Sequence, residues 1–143
     1  IHATGSAGTQ AGLVTGLKLL NSGIPLLGIG VRAPKLEQEK KVFDLAKLTC
    51  EKICGSQLIE KTDIIANCDF VGKGYGLPDP ITLDAIRLFA ATEGILLDPV
   101  YSGKGGAGLI QLLRNDFFSD CKRILFIHTG GAVALSSYLE SFK

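Results

Sequence analysis

Short apolar runs alternate with longer amphipathic runs along almost the whole chain, and glycine-rich stretches separate them. That order constrains the fold more than any other feature. Ile1 to Ala3 reads as the end of a strand, and Thr9 to Asn21 as a helix stopped by Gly23. Ile24 to Val31 is short and apolar, as a buried strand would be. Lys35 to Cys54 repeats its apolar residues at helical spacing, and Pro34 precedes it where proline suits a helix start. Cys68 to Gly72 and Gly94 to Leu97 read as weaker strands on either side of a helix at Pro80 to Thr92. Gly105 to Asn115 is a further helix, Arg123 to His128 a strong β run, and the C-terminal residues are helical again. Strands that alternate with helices through short connections predict a parallel α/β sheet. Ligands in such sheets sit beyond the carboxyl ends of the strands, where the glycine loops fall here.

The segment Thr4-Gly5-Ser6-Ala7-Gly8-Thr9-Gln10-Ala11-Gly12 carries the most chemistry. A strand end runs into a small-residue loop and then into a helix. Glycine lets the backbone come close to a ligand, the first N–H groups of the helix converge, and the helix dipole favours an anion there. Ser6 and Thr9 add hydroxyl donors, so a phosphate monoester suits this cradle. The competing reading is a capped turn with no ligand. Two nucleotide motifs do not fit. Gly103-Lys104 lacks the framing of a Walker loop, and Gly28-Ile29-Gly30 lies inside a strand rather than after one.

Charge excludes other partners. Lys and Arg total 15 against 14 Asp and Glu, with no basic block, which gives no electrostatic footing for nucleic acid or an anionic membrane. No apolar run is long enough to cross a bilayer, and no signal peptide is evident. Of the four cysteines only Cys50 and Cys54 are close, on one helix face, and they lack the further ligands a zinc site needs. No metal is expected, and the thiols read as buried and reduced, which points to the cytoplasm. The chain opens at Ile1 without an initiating Met, directly before the glycine loop, so it is expected to be part of a longer protein.

Four further segments narrow the reading. They are Tyr75-Gly76-Leu77-Pro78, Ala85-Ile86-Arg87-Leu88, Thr92-Glu93-Gly94-Ile95-Leu96-Leu97-Asp98-Pro99-Val100-Tyr101 and His128-Thr129-Gly130-Gly131. Together with the Thr4 to Gly12 loop, their order and spacing resemble the D-cysteine desulfhydrase and 1-aminocyclopropane-1-carboxylate (ACC) deaminase family, along essentially the whole chain. These are pyridoxal-phosphate (PLP) enzymes of fold type II, related to the tryptophan synthase β subunit. The resemblance implies a three-layer parallel sheet with flanking helices, residues 1–143 forming the C-terminal portion of the PLP-binding large domain. It implies that Gly5, Ser6, Ala7, Gly8 and Thr9 hold the cofactor phosphate. Tyr75 and Tyr101 correspond to tyrosines that face the substrate, a small amino acid. The intact protein is expected to be a homodimer.

Two positions separate the two activities within that family. ACC deaminases typically have Glu after the second tyrosine and Leu after the histidine of the last loop; this chain has Ser102 and Thr129. A carboxylate by the pyridine nitrogen keeps it protonated and the ring a strong electron sink, whereas a hydroxyl offers one hydrogen bond. The resemblance implies that Thr129 meets the ring nitrogen, alone or with Ser102. The implied reaction is α,β-elimination of D-cysteine, with ACC deamination as the alternative on the same scaffold. The family's Schiff-base lysine and its small domain lie N-terminal to the phosphate loop, and no lysine here has that context. The chain alone is expected to be inactive, and a non-catalytic phosphate-binding fragment remains the alternative of another class. His128 reads as a core histidine, Glu93 and Asp98 as capping or pairing groups, and Lys104 as solvated.

Overall fold

The computed structural model describes residues 1–143. Three strands, β1 (His2–Thr4), β2 (Leu27–Gly30) and β3 (Ile65–Asn67), form a parallel sheet in that order. Helices α1 (Gly8–Leu19) and α2 (Lys35–Cys54) connect them, and α3 (Pro80–Glu93) and α4 (Ser102–Arg114) follow. Side-chain directions in β1 show the two faces. Ala3 points toward Gly105 of α4, while Thr4 on the other face accepts a hydrogen bond from Gln38 of α2. The sheet thus lies between α1 and α2 on one side and α4, backed by α3, on the other. This is the parallel α/β sheet expected from the alternation, in the three layers that the family resemblance implies.

Each face has its own apolar core. Ala11 and Val14 of α1 meet Val42, Ala46 and Cys50 of α2 over one face. Ile1, Ile29 and Leu112 pack under α4 on the other, with Phe126 and Phe118 around them. Helix α4 approaches the sheet closely because its inner side is glycine. A Cβ added at Gly108 would lie 2.9 Å from three atoms of Ile29, and one at Gly105 would lie 3.1 Å from the Ala3 Cβ.

Helix limits follow local chemistry. Asp79 caps α3 by accepting the Thr82 N–H at 2.8 Å, with Pro80 in the first turn. Gly94 and Gly55 close α3 and α2 in the left-handed conformation, at φ 66° and 70°.

Three expected strands differ from the structure. Cys68 to Gly72 is a turn: Asp69 N–H donates to the Asn67 side chain and Val71 N–H to Cys68 O. The strand lies just upstream, at Ile65–Asn67. Gly94 to Leu97 is not a strand, because Gly94 and Ile95 donate back to Ala90 and Phe89 and close the helix. Arg123 to His128 runs beside β1 but pairs only through a parallel bridge between His2 and Ile127. The terminal helical stretch is a 3₁₀ segment, Ala132–Phe142, kinked at Tyr138.

His2 is wholly buried in β1, and neither ring nitrogen has a partner. Burial pushes its pKa down to about 4. The folded protein therefore resists protonating His2, while the unfolded chain accepts the proton near the ordinary value of about 6.5. Stability is expected to be full above that value and to fall by roughly 3 kcal/mol as the pH drops to about 4. Urea unfolding at pH 7 and pH 4.5 checks this, because His2→Leu should lose much less stability over the same interval.

Candidate active site

The carboxyl ends of the strands open onto four loops. The first, Gly5 to Ala7, leads from β1 into α1. Ala7 takes φ 75°, a left-handed conformation uncommon for a residue with a Cβ, and turns the chain so that α1 begins at Gly8. The N–H groups of residues 7–10 donate to no backbone or side-chain acceptor in the protein. Ser6, Gly8 and Thr9 are exposed, and no acidic residue occupies the first turn of α1. Unpaired donors at a helix N-terminus, free of negative charge, form a site for an anion. A phosphate monoester fits these residues.

Tyr101 closes one side of this loop. Its ring lies so close to Gly5 that an added Cβ would be 3.0 Å from the ring edge. Burial pushes the Tyr101 phenol up, and the Gly5 and Ser6 amides and the Ser6 hydroxyl only partly oppose that. The phenol therefore stays protonated through neutral pH and is available as a donor beside this loop. Tyr75 is near enough for its charge to act on Tyr101, and its exposed ring lies under the Arg32 guanidinium, 5.4 Å from the centroid.

Asp98 organises the turn into α4. Its carboxylate accepts the N–H groups of Val100, Tyr101 and Ser102 at 2.8–2.9 Å and the Ser102 hydroxyl at 2.6 Å. Ser102 Oγ in turn accepts the Asp98 N–H at 3.0 Å. The expected capping role of Asp98 is what the structure contains. The Gly130-Gly131 turn packs on the same carboxylate, since a Cβ at Gly131 would overlap Asp98 Oδ1. Thr129 lies two residues before the Gly131 contact with Asp98. It is exposed, and its hydroxyl makes no hydrogen bond within the protein.

Two expectations fail here. Lys104 is not solvated: it is fully buried, and its ammonium donates to Val71 O at 2.5 Å and Gly74 O at 2.6 Å. It lies on the inner side of α4, where its long side chain crosses to the Tyr75 loop. Glycines at positions 105 and 108 face the sheet and those at 103 and 106 face α3 and the Leu97–Asp98 segment, so this part of α4 is closely packed, and they were the available signal in the sequence. His128 is exposed rather than a core residue; the buried histidine is His2. Cys50 and Cys54 have sulfurs 3.6 Å apart with no further ligand, and no group of side chains forms a metal site.

A family model described as "Pyridoxal-phosphate dependent enzyme" matches residues 1–130. The chain belongs to that family. Proteins named D-cysteine desulfhydrase from Salmonella newport (strain SL254) and Salmonella gallinarum (strain 287/91 / NCTC 13346) are each 43% identical over 138 residues. Each match covers 96% of this chain and 41% of the relative. A solved structure described as "Crystal Structure Analysis of the ACC deaminase homologue" superposes with a TM-score of 0.84 at 32% identity. That likeness covers 99% of this chain and 42% of the other. The PLP-enzyme fold is therefore shared along the whole chain, which spans about two fifths of the length of these relatives.

Proposed function

We propose that the protein containing this chain is a D-cysteine desulfhydrase, converting D-cysteine and water to pyruvate, hydrogen sulfide and ammonia. The observation that carries this reading is the Asp98 corner. There residue 102 is a buried serine bonded to Asp98 rather than a glutamate, and Thr129, with an exposed hydroxyl, stands two residues before the Gly131 contact with Asp98; both support the reading. The similarity to proteins named D-cysteine desulfhydrase supports it.

When bound, PLP supplies the electron sink that acidifies the α-carbon and lets a β-thiolate leave. The amides and hydroxyls of Gly5, Ser6, Ala7, Gly8 and Thr9 hold its phosphate. Ser102 has its proton committed to Asp98, so Thr129 is the hydroxyl free to meet the pyridine nitrogen. Tyr101, kept protonated by burial, donates to the substrate carboxylate, and Tyr75 closes the other side of the site. The resemblance implies a lysine that would hold the cofactor and take the α-proton, and no lysine of residues 1–143 is assigned that role. The relatives' greater length and the exposure of Leu36 (83%) and Val133 (92%) support a longer chain that covers these side chains. The four free thiols fit a reducing, cytoplasmic setting, and the intact enzyme is read as a homodimer acting on a small amino acid.

ACC deamination is the second reading, favoured by the likeness to an ACC deaminase homologue. Steady-state rates of the full-length protein separate the two. Sulfide and pyruvate should form readily from D-cysteine, and little ammonia should form from ACC. Comparable turnover of both substrates would show that Ser102 and Thr129 do not select the reaction. Residues 1–143 expressed alone should release no sulfide, and turnover by them would overturn the placement of the lysine elsewhere.

A further inference from the structure

Tyr75 sits between two glycines, and the carbonyl on each side of it is held by a side chain from a distant part of the chain. Lys104 Nζ donates to Gly74 O at 2.6 Å, and Tyr138 Oη donates to Gly76 O at 2.9 Å. Gly74 and Gly76 adopt φ 149° and 74°, conformations that glycine reaches without steric strain and that leave the local backbone free to leave them again. A single backbone hydrogen bond spans Tyr75, from Leu77 N–H to Gly74 O at 3.3 Å. So little internal structure does not fix a loop; its position is set by what grips it from outside.

Lys104 is a costly way to grip it. The residue is fully buried, no carboxylate pairs with it, and it stands in the first turn of α4, where the helix dipole disfavours a cation. Burial lowers its pKa, and the charge of Asp79 only partly offsets that. A neutral side chain of similar length would fill the same space at lower cost, so the hydrogen bonds to Val71 O and Gly74 O are what the ammonium adds. It stands three residues after Tyr101 on the same helix start. One rigid element therefore carries Tyr101 and reaches across to the backbone of the Tyr75 loop.

We propose that Lys104 and Tyr138 are positioning residues that clamp the backbone on both sides of Tyr75 and so fix its phenol opposite Tyr101. This rests on the reading of Tyr75 as a substrate-facing group. The clamp is tested in the full-length, PLP-loaded protein with Tyr138→Phe, which removes one hydroxyl, and Lys104→Met, which removes the ammonium. Amide hydrogen exchange over residues 71–78 should accelerate by about 10-fold or more in each variant, with the rest of the chain unchanged. On D-cysteine, kcat should fall about 10-fold with a smaller change in KM, as for a misplaced group near the reacting atoms. Repeated in a Tyr75→Phe background, the same substitutions should change kcat by less than about 2-fold, because the clamp acts through that phenol.

Unchanged exchange in the loop, or an equal loss of kcat in both backgrounds, would overturn the proposal. So would exchange that rises throughout the chain in Tyr138→Phe. If Lys104→Met does not fold, Tyr138→Phe carries the test alone. A parent protein that releases no sulfide from D-cysteine sinks the desulfhydrase reading instead, and the exchange measurement then decides the clamp by itself.

Discussion

Replacing Ser6 with Asp is expected to weaken PLP binding to the full-length protein by about 100-fold or more. Ser6 is exposed in the loop before α1, next to the N–H groups of residues 7–10 that have no acceptor in the protein. An aspartate there sets a carboxylate against a phosphate that is close to dianionic. Two unit charges about 5 Å apart near a protein surface repel by roughly 3 kcal/mol, which is already a factor of about 100. The aspartate also supplies an acceptor for the very N–H groups that would hold the phosphate, as an N-capping carboxylate does. Equilibrium dialysis or absorbance titration with PLP measures the change. Ser6→Ala loses only a hydroxyl and should cost far less. An unaltered affinity in Ser6→Asp would mean that residues 5–9 are not the phosphate cradle.

The second large effect is structural. Gly103→Ala is expected to destabilise the protein by ~3 kcal/mol or more, although alanine is the better helix former. The added Cβ would lie 2.5 Å from the Asp98 carbonyl oxygen and 2.9 Å from the Ile86 side chain. Gly103 also donates its N–H to that carbonyl at 2.8 Å, so relief would require the start of α4 to pull away from Asp98. Urea denaturation should show the loss, together with disturbance of Tyr101 and Ser102 at the site. Gly12→Ala is the control, because a Cβ there meets nothing within 4 Å and should leave stability unchanged or slightly improved.

These two sites illustrate what could be read from the sequence and what could not. Helix α2 matches its expected bounds, Lys35 to Cys54, because proline, periodicity and a terminal glycine all agree. The Thr4 to Gly12 loop was legible because the order strand, small residues, helix is a local pattern. The strand errors share one cause. An apolar run says that a segment is buried, while pairing depends on a neighbour supplied from elsewhere in the chain. Gly94 to Leu97 spends its first two amides on closing α3, and Arg123 to His128 meets β1 at only one bridge. The burial of Lys104 was illegible for a related reason. A lysine beside four glycines looks solvent-bound until the loop at Val71 to Gly74 is seen to lie over it.

Asp98 holds the turn that carries Tyr101 mainly through three main-chain amides, those of residues 100, 101 and 102. Every amino acid except proline supplies such an amide. The shape of the turn is thus largely indifferent to which side chains occupy it. At residue 102, which is buried, a small side chain is required, and beyond that only the hydroxyl's own bonds to Asp98 depend on side-chain identity, a loss on the order of 1 kcal/mol per bond. Small side chains can therefore be exchanged at this position while the loop keeps its course. A lineage could try new chemistry here without first having to re-evolve its scaffold.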